Sequence, residues 1–297
     1  MTKERIGFVG AGLMGHGMAA SLLKAGYPVT VIAHRNRAPI DDLLSKGAEE
    51  ADSLSALAAA SDVVHICAPG SPQVEAIVAD LLPNLPDGSV VIDCSTADPV
   101  STVALAATLK EAGHAMADAP LGGTPAQAEE GMLSAMVGAD PDTFARIEPI
   151  VAAWAGGGVR HVGAPGDGHK MKLLNNFLSL GYGAIYAEAL AVANKIGIPT
   201  ETFDSVIRPS RMGCGFYETF MGYAVEGNRD AHKFTLLNAL KDATYLASTA
   251  QAAGIANPVG AAVRNSYAQA VATGGDGPED YVPHLVDFVA RWNGVER

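Results

Sequence analysis

The chain has little of what several protein classes require. Its 297 residues include only three cysteines, Cys67, Cys94 and Cys214. They are odd in number, far apart and outside any Cys-x-x-Cys pair, which argues against a disulfide framework and a structural zinc site. Reduced thiols in the cytoplasm are the expectation. Basic residues are scarce as well: 20 Lys and Arg stand against 32 Asp and Glu, a formal net charge of −12. Nucleic acids and anionic membranes select basic surfaces, so neither is expected as a partner. No run approaches the ~18 apolar residues of a membrane span. The opening Met1-Thr-Lys-Glu-Arg5 carries no apolar signal segment. The eight histidines are scattered without ligand spacing, so no metal is expected. Neither a Gly-x-Ser-x-Gly elbow nor a His-Glu-x-x-His helix is present.

What the chain does have is length, apolarity and order. Apolar residues make up 48% of it and charged residues 18%, a globular composition. At this length two domains are the default. Strand-like runs at Ile6–Val9, Val29–Ala33, Val63–Cys67, Val90–Asp93 and Ala115–Asp118 alternate with helical stretches. The helices are expected at Met14–Ala25, Asp41–Lys46, Ser53–Ala60, Val74–Leu82 and Pro99–Ala112. A hairpin strand from Gly131 to Gly138, a helix over Pro141–Trp154 and a strand over Val159–Val162 follow. This alternation predicts βαβ units around a parallel sheet.

The character changes at Gly163-Ala-Pro-Gly-Asp-Gly168, after which no strand is expected. Lys170 to Ile196 reads as one long helix ended by Gly197, with helices at Thr202–Arg208, Phe216–Val225, Thr235–Ala253, Pro258–Ala272 and Pro283–Trp292 beyond it. The boundary is expected near residue 164, dividing the chain into 1–164 and 165–297.

Gly10-Ala-Gly12-Leu13-Met14-Gly15 follows the first strand and opens the first helix. That context separates a dinucleotide fingerprint from a chance Gly-x-Gly-x-x-Gly. Gly10 suits the tight turn, Gly12 the approach of the pyrophosphate, and Gly15 close packing of helix on strand. The fold class expected is an α/β Rossmann dinucleotide-binding domain followed by an all-α domain built on a long helix. An NAD-binding fold usually carries Asp or Glu at the end of the second strand, to hold the ribose 2′-hydroxyl. Here the stretch reads His34-Arg35-Asn36-Arg37, and the first acid is Asp41. Two guanidiniums suited to a 2′-phosphate favour NADP, with NAD left open. Their bland alternative is a pair of solvated surface charges.

From this point the sequence resembles the β-hydroxyacid dehydrogenases, the family of 3-hydroxyisobutyrate dehydrogenase, tartronate semialdehyde reductase and sulfolactaldehyde reductase. The resemblance runs in order through the glycine loop, Cys67-Ala68-Pro69, Asp93-Cys-Ser95-Thr96 and Asp118-Ala-Pro120-Leu-Gly122-Gly123-Thr124. It continues through Gly168-His-Lys-Met-Lys172-Leu-Leu-Asn175-Asn176 and Phe234 with Lys241-Asp242. It implies an enzyme, an NAD(P)-dependent 3-hydroxyacid dehydrogenase or semialdehyde reductase. It implies cofactor contacts at Gly10, Gly12, Leu13, Met14, Gly15, Arg35, Asn36, Arg37, Ala68, Pro69, Thr96 and Lys241. Lys172 aligns with the catalytic lysine, Asn176 with the substrate-orienting amide, and Gly122, Gly123 and Thr124 with the loop that holds the acid group. The substrate implied is a small, anionic molecule, and the assembly a homodimer or homotetramer formed through the helical half.

Residue chemistry agrees with part of this. Lys172, Asn176 and Ser179 fall at i, i+4 and i+7 of the long helix, a polar stripe among Leu173, Leu174, Phe177 and Leu178. A partly desolvated lysine can return or accept the proton that accompanies hydride transfer. A lysine snorkelling to solvent is the plainer reading of the same stripe. His169 is expected as a solvated loop residue. The loop departs from the usual Ser-Gly-Gly, reading Gly122-Gly123-Thr124, and where sulfolactaldehyde reductase has an Arg this chain has Gly123. Arg208 and Arg211 are candidates for the missing charge. Two other readings stay open, an imine reductase-like NADPH-dependent reductase and a non-catalytic NADP-binding sensor.

Overall fold

The computed structural model describes residues 3–296. The strands are β1 (Ile6–Val9), β2 (Val29–Val31), β3 (Glu49–Glu50), β4 (Val63–Ile66), β5 (Val90–Asp93), β6 (Ala115–Asp118), β7 (Leu121–Gly122), β8 (Ser134–Gly138) and β9 (Gly158–Gly163). Between them run α1 (Gly15–Lys24), α2 (Ala38–Ser45), α3 (Leu54–Ala59), α4 (Ser71–Leu81), α5 (Pro99–Glu111), α6 (Pro125–Glu129) and α7 (Pro141–Val151). The chain then continues as α8 (Asp167–Lys195), α9 (Thr200–Ile207), α10 (Gly215–Ala224), α11 (Leu236–Ala252), α12 (Pro258–Ala272) and α13 (Leu285–Trp292).

The sheet order is β3-β2-β1-β4-β5-β6-β8-β7, with β9 beside β8. Every pair from β3 to β6 is parallel, and β8 pairs antiparallel with both β6 and β7. This is the order expected of a dinucleotide-binding sheet. Helices cover both faces, so the central strands are apolar on both sides. Ile6 and Phe8 of β1, Val63 of β4, and Val90 and Ile92 of β5 enter one cluster. Val9, Val64, Ile66 and Val91 enter the other. That two-residue alternation is the pleat.

The chain divides into two compact units, Met1–Lys172 and Leu173–Arg297, so the division falls inside α8. In the second unit α8 contributes Leu180, Ala184, Ala187, Leu190 and Ala191 to a core completed by Tyr217, Phe220, Tyr267, Leu285 and Phe288. The spacing of those α8 residues is the 3–4 rhythm of one helical face. Away from it α8 exposes Leu174, Leu178, Tyr182, Ile185 and Val192. Among the described residues no helix is long and apolar enough to cross a membrane.

Three elements have no counterpart in the sequence expectation: β3, β7 and α6. All are short, two to five residues, and too brief to show a period. The β3 pair is Glu49–Glu50, whose side chains carry no strand signal at all.

Candidate active site

Parallel strands deliver their C-terminal ends to one edge, so the loops that follow β1, β4 and β5 are neighbours there. Val9 pairs with Ile66 and Ile66 with Asp93. The next residues are Gly10, Cys67-Ala68-Pro69 and Cys94-Ser95-Thr96. Gly10 has φ +101°, and a Cβ on it would collide with the Cys67 carbonyl oxygen. A Cβ on Gly15 would collide with the Gly10 carbonyl oxygen. Around Gly12 nothing among the described residues lies within 4 Å of the same imaginary atom. Two glycines are therefore demanded by the protein itself, and the middle one faces open space.

At the start of α1 the cap residue, Met14, makes no side-chain cap hydrogen bond, and Leu13 is 81% exposed. The His16 amide donates to the Gly12 carbonyl oxygen at 3.0 Å, and the start of α1, uncapped by any side chain and next to the glycine loop, fits a pyrophosphate. Ala68 is tied to the β5 loop by its amide, which donates to Ser95 Oγ at 2.9 Å. Pro69 is exposed and Thr96 half-buried at the same edge.

The loop after β2 holds Arg35, Asn36 and Arg37. Asn36 Oδ1 accepts the amide of Ala38, the first residue of α2, at 3.2 Å. Arg37 is engaged on two sides. Its Nη1 and Nη2 donate to the two oxygens of Glu50 at 2.6 and 2.7 Å, and its Nε donates to Asp41 at 2.8 Å. Arg35 is exposed, and no ion pair to it is found among the described residues.

A buried polar network, which the sequence did not announce, fixes the first turn of α8. Asp118, the last residue of β6, accepts the Gly166 amide on Oδ1 and the His169 amide on Oδ2, each at 2.6 Å. It supplies these orphan helix-start donors with a carboxylate from another element. His169 is not a solvated loop residue, as expected from its place in the sequence, but fully buried. Its Nδ1 lies 2.8 Å from Thr102 Oγ1 and its Nε2 3.0 Å from the Ser95 carbonyl oxygen. Two carboxylates stand just beyond, Asp118 at 3.7 Å and Asp93 at 3.8 Å. Burial pushes the Asp118 carboxyl above its ordinary range, while His169 and the two backbone amides pull it back. Lys172 follows His169 by three residues, so the lysine sits on a helical turn anchored to the carboxyl edge of the sheet.

In the loop expected to hold substrate, Gly122 pairs with Ser134 in the β7–β8 ladder. Gly123 has φ +133°, and a Cβ there would lie 2.8 Å from Leu133 Cδ2. Thr124 is the N-cap of α6. Its Oγ1 accepts the Gln127 amide at 3.3 Å, and Gln127 Oε1 accepts the Thr124 amide at 2.9 Å, which closes a capping box.

In the second unit Asn176, 7% exposed, donates from Nδ2 to Asp242 Oδ2 at 2.7 Å. Lys241 Nζ lies 3.3 Å from the other oxygen of Asp242 and 5.6 Å from the centre of the Tyr245 ring. Asp242, only 2% exposed, thus joins two of the expected site residues and is the member whose part was not foreseen. Its signal was adjacency to Lys241, which says nothing about Asn176. Arg208 is held by Asp204, Glu218 and Glu226, so it is not free to supply the charge missing from the substrate loop. Arg211 is exposed.

The sheet order and the glycine loop define a dinucleotide-binding domain. Residues 5–163 match the NAD binding domain of 6-phosphogluconate dehydrogenase. Residues 166–283 match the family described as NAD-binding of NADP-dependent 3-hydroxyisobutyrate dehydrogenase. The NAD-dependent L-serine dehydrogenase of Pseudomonas aeruginosa is 34% identical over 89% of this chain and 91% of its own. The 3-sulfolactaldehyde reductase of Escherichia coli is 30% identical over 91% of each. A solved Mycobacterium tuberculosis 3-hydroxyisobutyrate dehydrogenase with L-serine superposes with a TM-score of 0.85, at 26% identity over 96% of this chain and 99% of that one. The chain belongs to the β-hydroxyacid dehydrogenase family, and it is an NAD(P)-dependent enzyme acting on a small molecule.

Proposed function

We propose that the protein interconverts a short 3-hydroxy acid and its semialdehyde, using NADP(H), with Lys172 as the general acid/base. The relatives named for L-serine, 3-sulfolactaldehyde and 3-hydroxyisobutyrate share that chemistry: a small alcohol or aldehyde beside an acid group. The observation that carries the reading is the pinned start of α8, which gives Lys172 a rigid base and sets Asn176 one turn further on. A bound nicotinamide supplies the site for hydride exchange. Lys172 would give a proton to the carbonyl oxygen during reduction and take it back during oxidation. Asn176 has two amide hydrogens, and Asp242 holds one of them. The other is left to orient the reacting oxygen.

The loop Gly122–Thr124 holds the acid group, the Thr124 hydroxyl exchanging its long contact to Gln127 for the substrate. Residues 1–164 hold the cofactor and carry that loop, and 165–297 serve the substrate and self-association. The exposed apolar stripe of α8 is the surface by which we expect two copies to meet, and sedimentation would measure that. NADP is favoured over NAD by the missing acid at the end of β2 and by the cation Arg35.

The test is a screen of NADP⁺ and NAD⁺ reduction on L-serine, 3-hydroxyisobutyrate, 4-hydroxybutyrate, glycerate and sulfonated analogues. On the best substrate Lys172→Ala should lower kcat by about 10³-fold with cofactor affinity intact. Near-normal turnover in that variant would remove the lysine from the mechanism.

A further inference from the structure

The Arg37 guanidinium presents two distinct edges. The end-on edge, Nη1 and Nη2, is filled by both oxygens of Glu50 in a parallel fork at 2.6 and 2.7 Å. The side edge, Nε, is filled by Asp41, four residues on and in the first turn of α2. The fork is the geometry by which arginine also takes two oxygens of a phosphate. Glu50 stands in register with Val31, the last residue of β2, across the parallel β2–β3 ladder. The carboxylate absent from the end of β2 is thus present one strand away, and it lies on the cation that would read a 2′-phosphate.

We propose that Glu50 is a specificity-determining residue for the nucleotide: its carboxylate occupies the end-on edge of Arg37 as an internal stand-in for the 2′-phosphate. The proposal rests on the reading that the 2′-phosphate meets the Arg35–Arg37 loop. NADP must displace Glu50 from Arg37, one fork for another, while Asp41 keeps the guanidinium oriented through Nε. NAD makes no such demand and binds with the pair intact. A site whose competent form is populated in one molecule of ten binds about tenfold more weakly than the free site. Glu50 therefore lowers NADP affinity selectively, and Arg35, which no carboxylate holds among the described residues, remains the ready cation.

The test needs no substrate. Fluorescence titrations with NADPH and NADH would be run on the full chain carrying Glu50→Gln, Arg37→Ala, or both. Glu50→Gln should tighten NADPH about five- to tenfold and leave NADH within about twofold. In the Arg37→Ala background the same change should yield no NADPH-specific gain. Equal effects on the two cofactors, no effect on either, or a gain that survives Arg37→Ala would each overturn the proposal. The cofactor reading fails separately. A chain that prefers NADH until Glu50→Gln turns it to NADPH contradicts that reading and supports this proposal. An NADPH preference that Arg35→Ala abolishes, with Glu50→Gln silent, does the reverse.

Discussion

Two glycine-bearing loops differ in what they have left to offer. In the first, Gly10 and Gly15 are required by the protein's own backbone, while Gly12 has open space around it among the described residues and α1 starts without a side-chain cap. In the second, Gly122 is in a strand ladder, Gly123 lies against Leu133, and Thr124 is closed into a capping box with Gln127. The cofactor loop is a finished cradle with one side empty. The second loop has satisfied itself, so an acid group bound there, as proposed, would have to take over bonds that already exist. Preorganisation lowers the cost of binding, and the difference predicts tight cofactor binding beside weaker, exchange-limited substrate binding.

That contrast can be broken at three places. The largest effect is expected at Gly15→Ala, where the new methyl meets a carbonyl oxygen that cannot move without unmaking the turn. A loss of about 3 kcal/mol or more in urea unfolding is the expectation, and a loss under about 1 kcal/mol would mean the turn is looser than described. Next comes Gly12→Ala, which should leave unfolding of the free protein unchanged and weaken NADPH about 100-fold, or roughly 3 kcal/mol. If the fold suffers instead, the space around Gly12 is not reserved for a ligand.

Thr124→Ala should cost only about 1 kcal/mol of stability through the lost cap, and raise KM for the acid substrate with kcat nearly unchanged. An unaltered KM would leave that hydroxyl a cap and nothing more.

The fold was legible where periods are long. The strands β1, β4, β5 and β6, the glycine loop, and the helices of the second half lie within a few residues of their expected places, because apolar alternation and terminal Gly and Pro mark them. What the sequence hid is of another kind. His169 looks like a loop histidine because burial by Thr102 and the Ser95 carbonyl comes from residues 67 and 74 positions away. Asp242 reads as the neighbour of Lys241, whereas it also accepts from Asn176, 66 positions earlier. Arg37 reads as a free cation because its partner Glu50 sits in a strand too short to recognise. Single residues whose role depends on a distant partner carry no local pattern.

One feature bears on how this scaffold is altered. Because Asp118 closes β6 and also terminates the donors of α8, it belongs mechanically to the helix although it precedes the substrate loop in the chain. A loop exchange between relatives that cuts before Asp118 transplants a helix anchor along with residues 119–124, and one that cuts after it leaves that anchor in place. The junction for grafting a new substrate loop is therefore Ala119, one residue later than the motif itself would suggest.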